Sequence, residues 1–587
     1  MSRRIAQITL VICFLLFTTV LANSATDVYR RAERLEKRAR DIRHHHQQQN
    51  SSPEPVERRQ DGKKFLTEKT RPFEVDGSKI PLVDFDVGES YAGLMPISGD
   101  ADETRKLFFW FWPSVKGDAP KEIAIWFNGG PGCSSLIGLL SENGPFLWQE
   151  GTEGPTPNTY DWRNLTNVVW VEQPVGVGYT EGKVDIKNEE ELAKEFVGFY
   201  TQFMKTFDMQ GYDIYLTGES YAGYYLPYIG AEFINVDSPD MPLTGIHIND
   251  PIIGTNEAAQ VATVVPYVQY WNNILYINQT TMDKLASAHK TCGYEDLLAT
   301  YLTYPPPQRP FPVIPDPTAN YDDKTQFADP CDPLSIAYEA AVYSNPCLNI
   351  YRIADMCPHL ESALGEQRNQ GEDKAIYFNR SDVKQILHVA ESASWGECTG
   401  SPGVFVPVGN NTDGGDQSAP PALNGVLTKV IEKTGRVIIG SGGLDMLLNT
   451  NGTLLSIQNM TWNGMQGFQE YPGKDFFAPY HEEWNPQTLA SSGNVGTWGS
   501  ERGLTFYYVQ LAGHMVPGNA PGPSYRVLEV LLGRVDNLGS TEPFTTQSGN
   551  AAGGGGGGLD RNHAVTGWRH GSNGVGRFPL KGAADLP

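Results

Sequence analysis

Ser220 lies in the run Ile214-Tyr215-Leu216-Thr217-Gly218-Glu219-Ser220-Tyr221-Ala222-Gly223. An apolar strand, a sharp turn of small residues and a helix are expected to follow one another there. That succession describes a nucleophile elbow, which pushes a serine Oγ out at the C-terminal edge of a sheet. Ala222 stands where the G-x-S-x-G pattern has its last glycine, a mild departure. The same six letters recur as Gly88-Glu89-Ser90-Tyr91-Ala92-Gly93, so local sequence does not choose between the two serines. Context does. Ser90 comes early, lacks a preceding buried strand and is followed by Leu94-Met95-Pro96, a poor helix start. Ser220 is the candidate nucleophile.

A serine nucleophile needs a base, an orienting carboxylate and donors for the oxyanion. In elbow folds the chain order is Ser, then Asp or Glu, then His, which removes the early histidines. His563 and His570 fall in a polar C-terminal stretch, and His481 has no expected strand before it. His514 follows the apolar run 504–509 through Leu511-Ala512-Gly513 and is the candidate base. Asp445, just past the run 437–440, is the candidate acid. Asp250 also follows an apolar run and stays as the alternative, its other reading being a turn or cap. The stretch 126–135 is Gly-rich but lacks the Gly-Lys-Ser/Thr ending of a phosphate loop. It sits after a strand and before the elbow, where Gly130 N–H and Tyr221 N–H would form a natural oxyanion pair.

Strands are expected at 107–112, 123–127, 167–171, 214–217, 245–248, 437–440 and 504–509, and helices at 189–206 and 221–235. This alternation predicts an α/β fold with a mostly parallel central sheet flanked by helices. The catalytic domain would comprise 65–255 and 373–540. Residues 256–372 break the rhythm with Cys292, Cys331, Cys347, Cys357 and a proline cluster, and read as an insertion. Arg3 and Arg4 before an apolar run and Val20-Leu21-Ala22 make 1–22 a signal peptide. Residues 23–64 read as a polar basic leader or propeptide, in which His44-His45-His46 is low-complexity sequence rather than a metal site. Residues 541–587 read as a Gly-rich disordered tail.

No later apolar run is long enough to span a bilayer, and no hydrophobic tail signals a lipid anchor. A formal net charge of -23 repels phosphate backbones and anionic lipid, which excludes nucleic acid as a partner. None of the cysteines forms a C-x-x-C pair, so disulfides in an oxidising, secreted setting are expected rather than zinc. Sequons stand at Asn164, Asn278, Asn379, Asn410, Asn451 and Asn459. Nothing in the sequence sets an oligomeric state.

The runs 128–135, Glu142-Asn143-Gly144-Pro145-Phe146, Glu172-Gln173-Pro174-Val175-Gly176-Val177-Gly178-Tyr179, 218–223, 443–449 and 513–517 together resemble the serine carboxypeptidase family. The resemblance implies an α/β-hydrolase fold, no cofactor or metal, and removal of C-terminal residues from peptides or proteins with a free C-terminus. Carried over by motif, the triad is Ser220, Asp445 and His514, with Gly130 and Tyr221 as the oxyanion hole. Asn128, Gly129, Glu142 and Glu219 would hold the substrate's terminal carboxylate. It also implies a Cys133–Cys398 bridge, the latter cysteine shortly after Trp395, and leaves the four insertion cysteines open. Glu172 departs from the Asp often found there, with little consequence expected. The carboxylate motifs bring no Arg or Lys, so one of two close carboxyls should keep a proton and favour acidic pH. The rival functions are acyl transfer or ester hydrolysis on the same scaffold, and a non-catalytic binding protein, which an intact triad opposes. Leader and tail lie outside the resemblance and leave secretion or a lytic vacuole as destinations.

Overall fold

Each apolar run expected to form a strand does so, within two residues at either end. The computed structural model describes residues 63–116, 121–314, 331–365, 376–400, 403–407, 415–481 and 492–547. The expected signal peptide, the leader up to 62, the His44–His46 run, Asn410, His563 and His570 lie outside the described residues.

The central strands are β3 (Lys106–Trp112), β4 (Glu122–Phe127), β5 (Asn167–Glu172), β6 (Asp213–Glu219), β7 (Leu243–Asn249), β8 (Val437–Gly442) and β11 (Leu504–Val509). Four further strands extend the edges: β1 (Glu74–Asp76), β2 (Glu89–Pro96), β9 (Lys474–Ala478) and β10 (Gly493–Glu501). The 11-stranded order is β1-β2-β3-β5-β4-β6-β7-β8-β11-β10-β9. From β5 to β11 the neighbours are parallel, and the edge pairs are antiparallel. A sheet covered on both faces needs strands apolar on both sides, and β3 shows the consequence. Phe109 and Phe111 enter the core on one face, while Phe108, Trp110 and Trp112 enter the core on the other.

The first face is covered by α1 (Glu189–Thr206) and α2 (Ala222–Val236), close to the expected 189–206 and 221–235, and by α7 (Val426–Thr434). The Asn188 side chain starts α1 by accepting from Glu191 N at 3.0 Å. Helix α9 (Pro521–Leu531) covers the other face. Between β7 and β8 run α3 (Val264–Leu275), α4 (Gln279–Thr291), α5 (Tyr294–Tyr301) and α6 (Pro333–Ser344). An apolar cluster of Val268, Trp271, Leu285, Ala337 and Ala341 joins α3, α4 and α6 and reaches Leu444 and Met446 just past β8. Helix α8 (Thr450–Asn459) follows.

Ser90 lies inside β2, fully buried, and its Oγ accepts from Trp110 Nε1 at 3.2 Å. The second copy of the hexapeptide is therefore strand. His481, read from sequence as having no strand before it, in fact follows β9, and its ring stacks on Phe544 at 5.9 Å. Residues 541–547, expected to open the tail, are packed against the fold. Phe544 is buried against Tyr160 and Tyr525, and Thr545 N and Oγ1 donate to Glu529 Oε1 at 2.6 and 2.7 Å. Of the sequons, Asn451 is buried and Asn379 spends its amide on Trp395 O at 2.7 Å, whereas Asn278 is exposed.

Cys133 is bonded to Cys398, and the insertion cysteines pair as Cys292–Cys331 and Cys347–Cys357. The first bridge closes a separation of 265 residues and ties the Gly-rich loop to a distant segment. Closing a long loop restricts the unfolded chain, so replacing Cys133 and Cys398 with Ala should cost about 2–5 kcal/mol of stability. Thermal unfolding of the double variant checks this, and an unchanged midpoint would contradict it.

Candidate active site

In a parallel array the C-terminal ends of strands share one edge, where ligands collect. Asn128 follows β4, Ser220 follows β6, Asp250 follows β7, Asp445 lies three residues past β8, and His514 lies beyond β11. Sheet order thus gathers residues that are hundreds of positions apart.

Ser220 has φ +63°, the left-handed conformation that L-residues avoid at a cost of about 1–2 kcal/mol. Its N–H donates to Asn249 O at 3.0 Å, and its carbonyl accepts from Gly223 N at 2.9 Å and Ile252 N at 3.2 Å. These bonds hold the serine at a tip between β6 and α2. Any Cβ at Gly223 would strike Ile252 O, whereas Ala222 is packed with its methyl in place. The departure at Ala222 is harmless for that reason.

Of the two candidate acids, Asp445 is the one bonded to the candidate base, His514. Its Oδ2 lies 2.6 Å from His514 Nδ1, and its Oδ1 accepts from Leu447 N at 2.9 Å and Leu448 N at 3.2 Å. That bond engages Nδ1 and leaves Nε2 as the ring nitrogen able to accept a proton. Asp250 instead buttresses the turn that carries Asp445. Its N–H donates to Gly440 O at 2.8 Å and its Oδ1 accepts from Gly442 N at 2.8 Å. Burial first, and the Asp445 charge second, push the Asp250 carboxyl well above the usual carboxylate range.

The Gly-rich loop presses directly on the elbow. A Cβ at Gly129 would strike Tyr221 N and come within 2.7 Å of Ser220 Cβ. Only glycine lets the two backbones meet there, with the Tyr221 N–H at the positive end of α2. The Tyr221 phenol donates to Asp416 Oδ2 at 2.8 Å, and Asp416 Oδ1 accepts from Ser418 N at 2.9 Å and Ser418 Oγ at 2.7 Å. Sequence reasoning missed Asp416. It belongs to no recognised motif and meets Tyr221 only in three dimensions.

Asn128 organises two buried carboxyls. Its Oδ1 accepts from Trp126 Nε1 at 2.8 Å and Gly138 N at 3.0 Å, which fixes the orientation of the amide. Its Nδ2 then donates to Glu219 Oε1 at 2.8 Å and approaches Glu142 Oε1 at 3.5 Å. Oε2 of each glutamate is buried with no donor among the described residues. Burial pushes Glu142 up to about 7, opposed by the Glu219 and Asn128 hydrogen bonds and by His514. Burial and the neighbouring Glu142 push Glu219 well above the usual range. His514 is therefore within electrostatic reach of this pair.

Glu172 is more than a neutral departure. Its Oε1 accepts from Ser134 Oγ and from Trp395 Nε1 at 2.8 Å, and its Oε2 accepts from Tyr179 N at 2.6 Å. It links the Gly-rich loop to both flanking segments, and burial pushes it up to about 7. Among the described residues no group of His, Cys, Asp and Glu could hold a metal ion, and no helix is long and apolar enough to cross a membrane.

The chain has relatives among known proteins. The family model for serine carboxypeptidases matches residues 81–534. A probable serine carboxypeptidase of Arthroderma benhamiae is 44% identical over 500 residues, covering 82% of this chain and 90% of that protein. Serine-type carboxypeptidase F of Aspergillus niger is 43% identical over 488 residues, covering 81% of this chain and 89% of that protein. Among solved structures, a prohormone-processing carboxypeptidase from Saccharomyces cerevisiae aligns with a TM-score of 0.60 at 23% identity. That alignment covers 80% of this chain and 98% of that one, and places the two on one α/β-hydrolase fold. The chain belongs to the serine carboxypeptidase family.

Proposed function

We propose that this protein is a serine-type exopeptidase that releases C-terminal amino acids through an acyl-enzyme and works best at acidic pH. The observation that carries this reading is the Glu142–Glu219 pair, held by Asn128 beside Ser220. A buried pair that keeps protons can donate to a substrate's terminal carboxylate, and so sets the scissile bond at a fixed distance from the chain end. Gly129 N–H and Asn128 complete that clamp.

In the mechanism, His514 Nε2 takes the Ser220 proton as Oγ attacks the last peptide carbonyl. Gly130 N–H and Tyr221 N–H hold the oxyanion, and Asp445 keeps the imidazole in the tautomer it needs. His514 then protonates the leaving amine and activates the water that frees Ser220. The three disulfides suit an oxidising setting, and we read the destination as secretion or a lytic vacuole, with 256–372 an insertion in the catalytic domain.

The test is mass spectrometry of a peptide, and of its C-terminally amidated twin, with and without an added alcohol acceptor. A ladder shortened from the C-terminus of the free peptide, with the amide largely intact, is expected. Equal cleavage of both peptides, or transfer to the alcohol in place of hydrolysis, would overturn the reading.

A further inference from the structure

The loop closed by Cys347 and Cys357 lies across the two turns that carry the candidate acid and base. Met446 N donates to Ile350 O at 3.0 Å, and Ile353 N donates to Leu444 O at 3.1 Å, one bond on each side of Asp445. Between them, the Tyr351 carbonyl accepts from His514 N at 2.8 Å. The short segment 350–353 therefore clasps acid and base together. Gly513 is part of the fit, since a Cβ there would come within 2.7 Å of Arg352 Cβ.

The Tyr351 side chain adds a second link. Its ring centroid is 5.0 Å from that of His514, with the planes at 54°. Tyr351 is 39% exposed, so it is not a core residue. An aromatic ring attracts a cation held over its face within about 6 Å, whereas its edge repels one. When His514 takes the Ser220 proton the imidazole gains positive charge, so such attraction favours that state over the neutral base. Among the described residues, the titratable groups that interact with the imidazole include Asp445 at 2.6 Å and Glu142. Arg352, beside Tyr351, is engaged by Asp355 at 3.2 Å.

We propose that Tyr351 is a positioning residue for the base, its carbonyl fixing the His514 loop and its ring stabilising the transient imidazolium. This rests on the Ser220–His514–Asp445 reading above.

The test uses the full chain with Tyr351→Phe, Tyr351→Leu and pentafluorophenylalanine at 351, which keeps the ring's shape and reverses the charge on its face. Peptide kcat and KM are measured, together with the rate at which a small fluorophosphonate labels Ser220. Tyr351→Phe should stay close to the parent. Tyr351→Leu should lower kcat and labelling by roughly three- to thirtyfold with KM unchanged. The pentafluoro variant should fall with Leu although it fills the same space. A pentafluoro variant matching Tyr351→Phe, or an effect confined to KM, would overturn the proposal. Should Tyr351→Leu fail to fold, the Phe and pentafluoro pair decides alone. Failure of the parent itself to label at Ser220 would instead strike the triad reading, so the two failures are distinct.

Discussion

Ser220→Ala should abolish peptide turnover and covalent labelling by a fluorophosphonate, whereas Ser90→Ala should change both little. The two serines sit in identical hexapeptides, so the contrast isolates backbone context from local sequence. Ser220 is held at φ +63° on a tip between a parallel strand and a helix, partly open to solvent. Ser90 is fully buried in an antiparallel strand and takes the Trp110 indole N–H at 3.2 Å. Removing a triad nucleophile costs about six orders of magnitude in kcat. Removing Ser90 Oγ leaves one buried indole donor without its acceptor, a matter of roughly 1–3 kcal/mol of stability and not of rate. Activity that survived Ser220→Ala and vanished in Ser90→Ala would reverse the elbow assignment.

That pair also marks what could be read from sequence. The central strands were legible because a sheet covered on both faces demands unbroken apolar runs, as in Leu107-Phe108-Phe109-Trp110-Phe111-Trp112. The edge strands were not. β10 reads Gly-Asn-Val-Gly-Thr-Trp-Gly-Ser-Glu, half-exposed and broken by glycine, with no period to detect. Missing β9 in the same way removed the strand before His481, so that histidine was set aside for a wrong reason. It belongs to the Phe544 packing all the same.

At the site, the candidate triad can be read from chain order and strand ends. The bond that separates Asp445 from Asp250 cannot, since both follow parallel neighbours in the sheet. Contacts such as Tyr221 with Asp416, or Tyr351 with His514, depend on how loops return over the sheet edge. No periodicity carries that information. The pairing of Cys292 with Cys331 and of Cys347 with Cys357 was hidden for the same reason.

Peptide binding should weaken steeply above about pH 7, and the double variant Glu142→Gln/Glu219→Gln should abolish that dependence. Burial raises both carboxyls, Glu142 to about 7 and Glu219 well beyond the usual range. The sign follows from which form is useful. Below that midpoint the pair holds its protons and donates to the substrate carboxylate. Above it the pair gains negative charge in a buried pocket that must also accept the carboxylate, and repulsion replaces a hydrogen bond. One proton lost on the way to the binding-incompetent form makes KM rise about tenfold per pH unit beyond the midpoint. On the acid side the substrate carboxylate itself protonates near a pKa of ~3.5, so binding should be best between about pH 4 and 7. Glu172 also titrates near 7, but it touches Ser134, Trp395 and Tyr179 and not the clamp. Its effect would fall on all substrates alike. A C-terminally amidated peptide is therefore the control: it binds weakly throughout and lacks the carboxylate-specific rise. Glutamine can donate at any pH, so the double variant should bind the free peptide with a flat profile above about pH 4, where the substrate carboxylate is ionised. Steady-state kinetics of both peptides across that range is the measurement. A KM profile for the free peptide as steep in the double variant as in the parent would sink the carboxyl-pair clamp, whatever the overall rate.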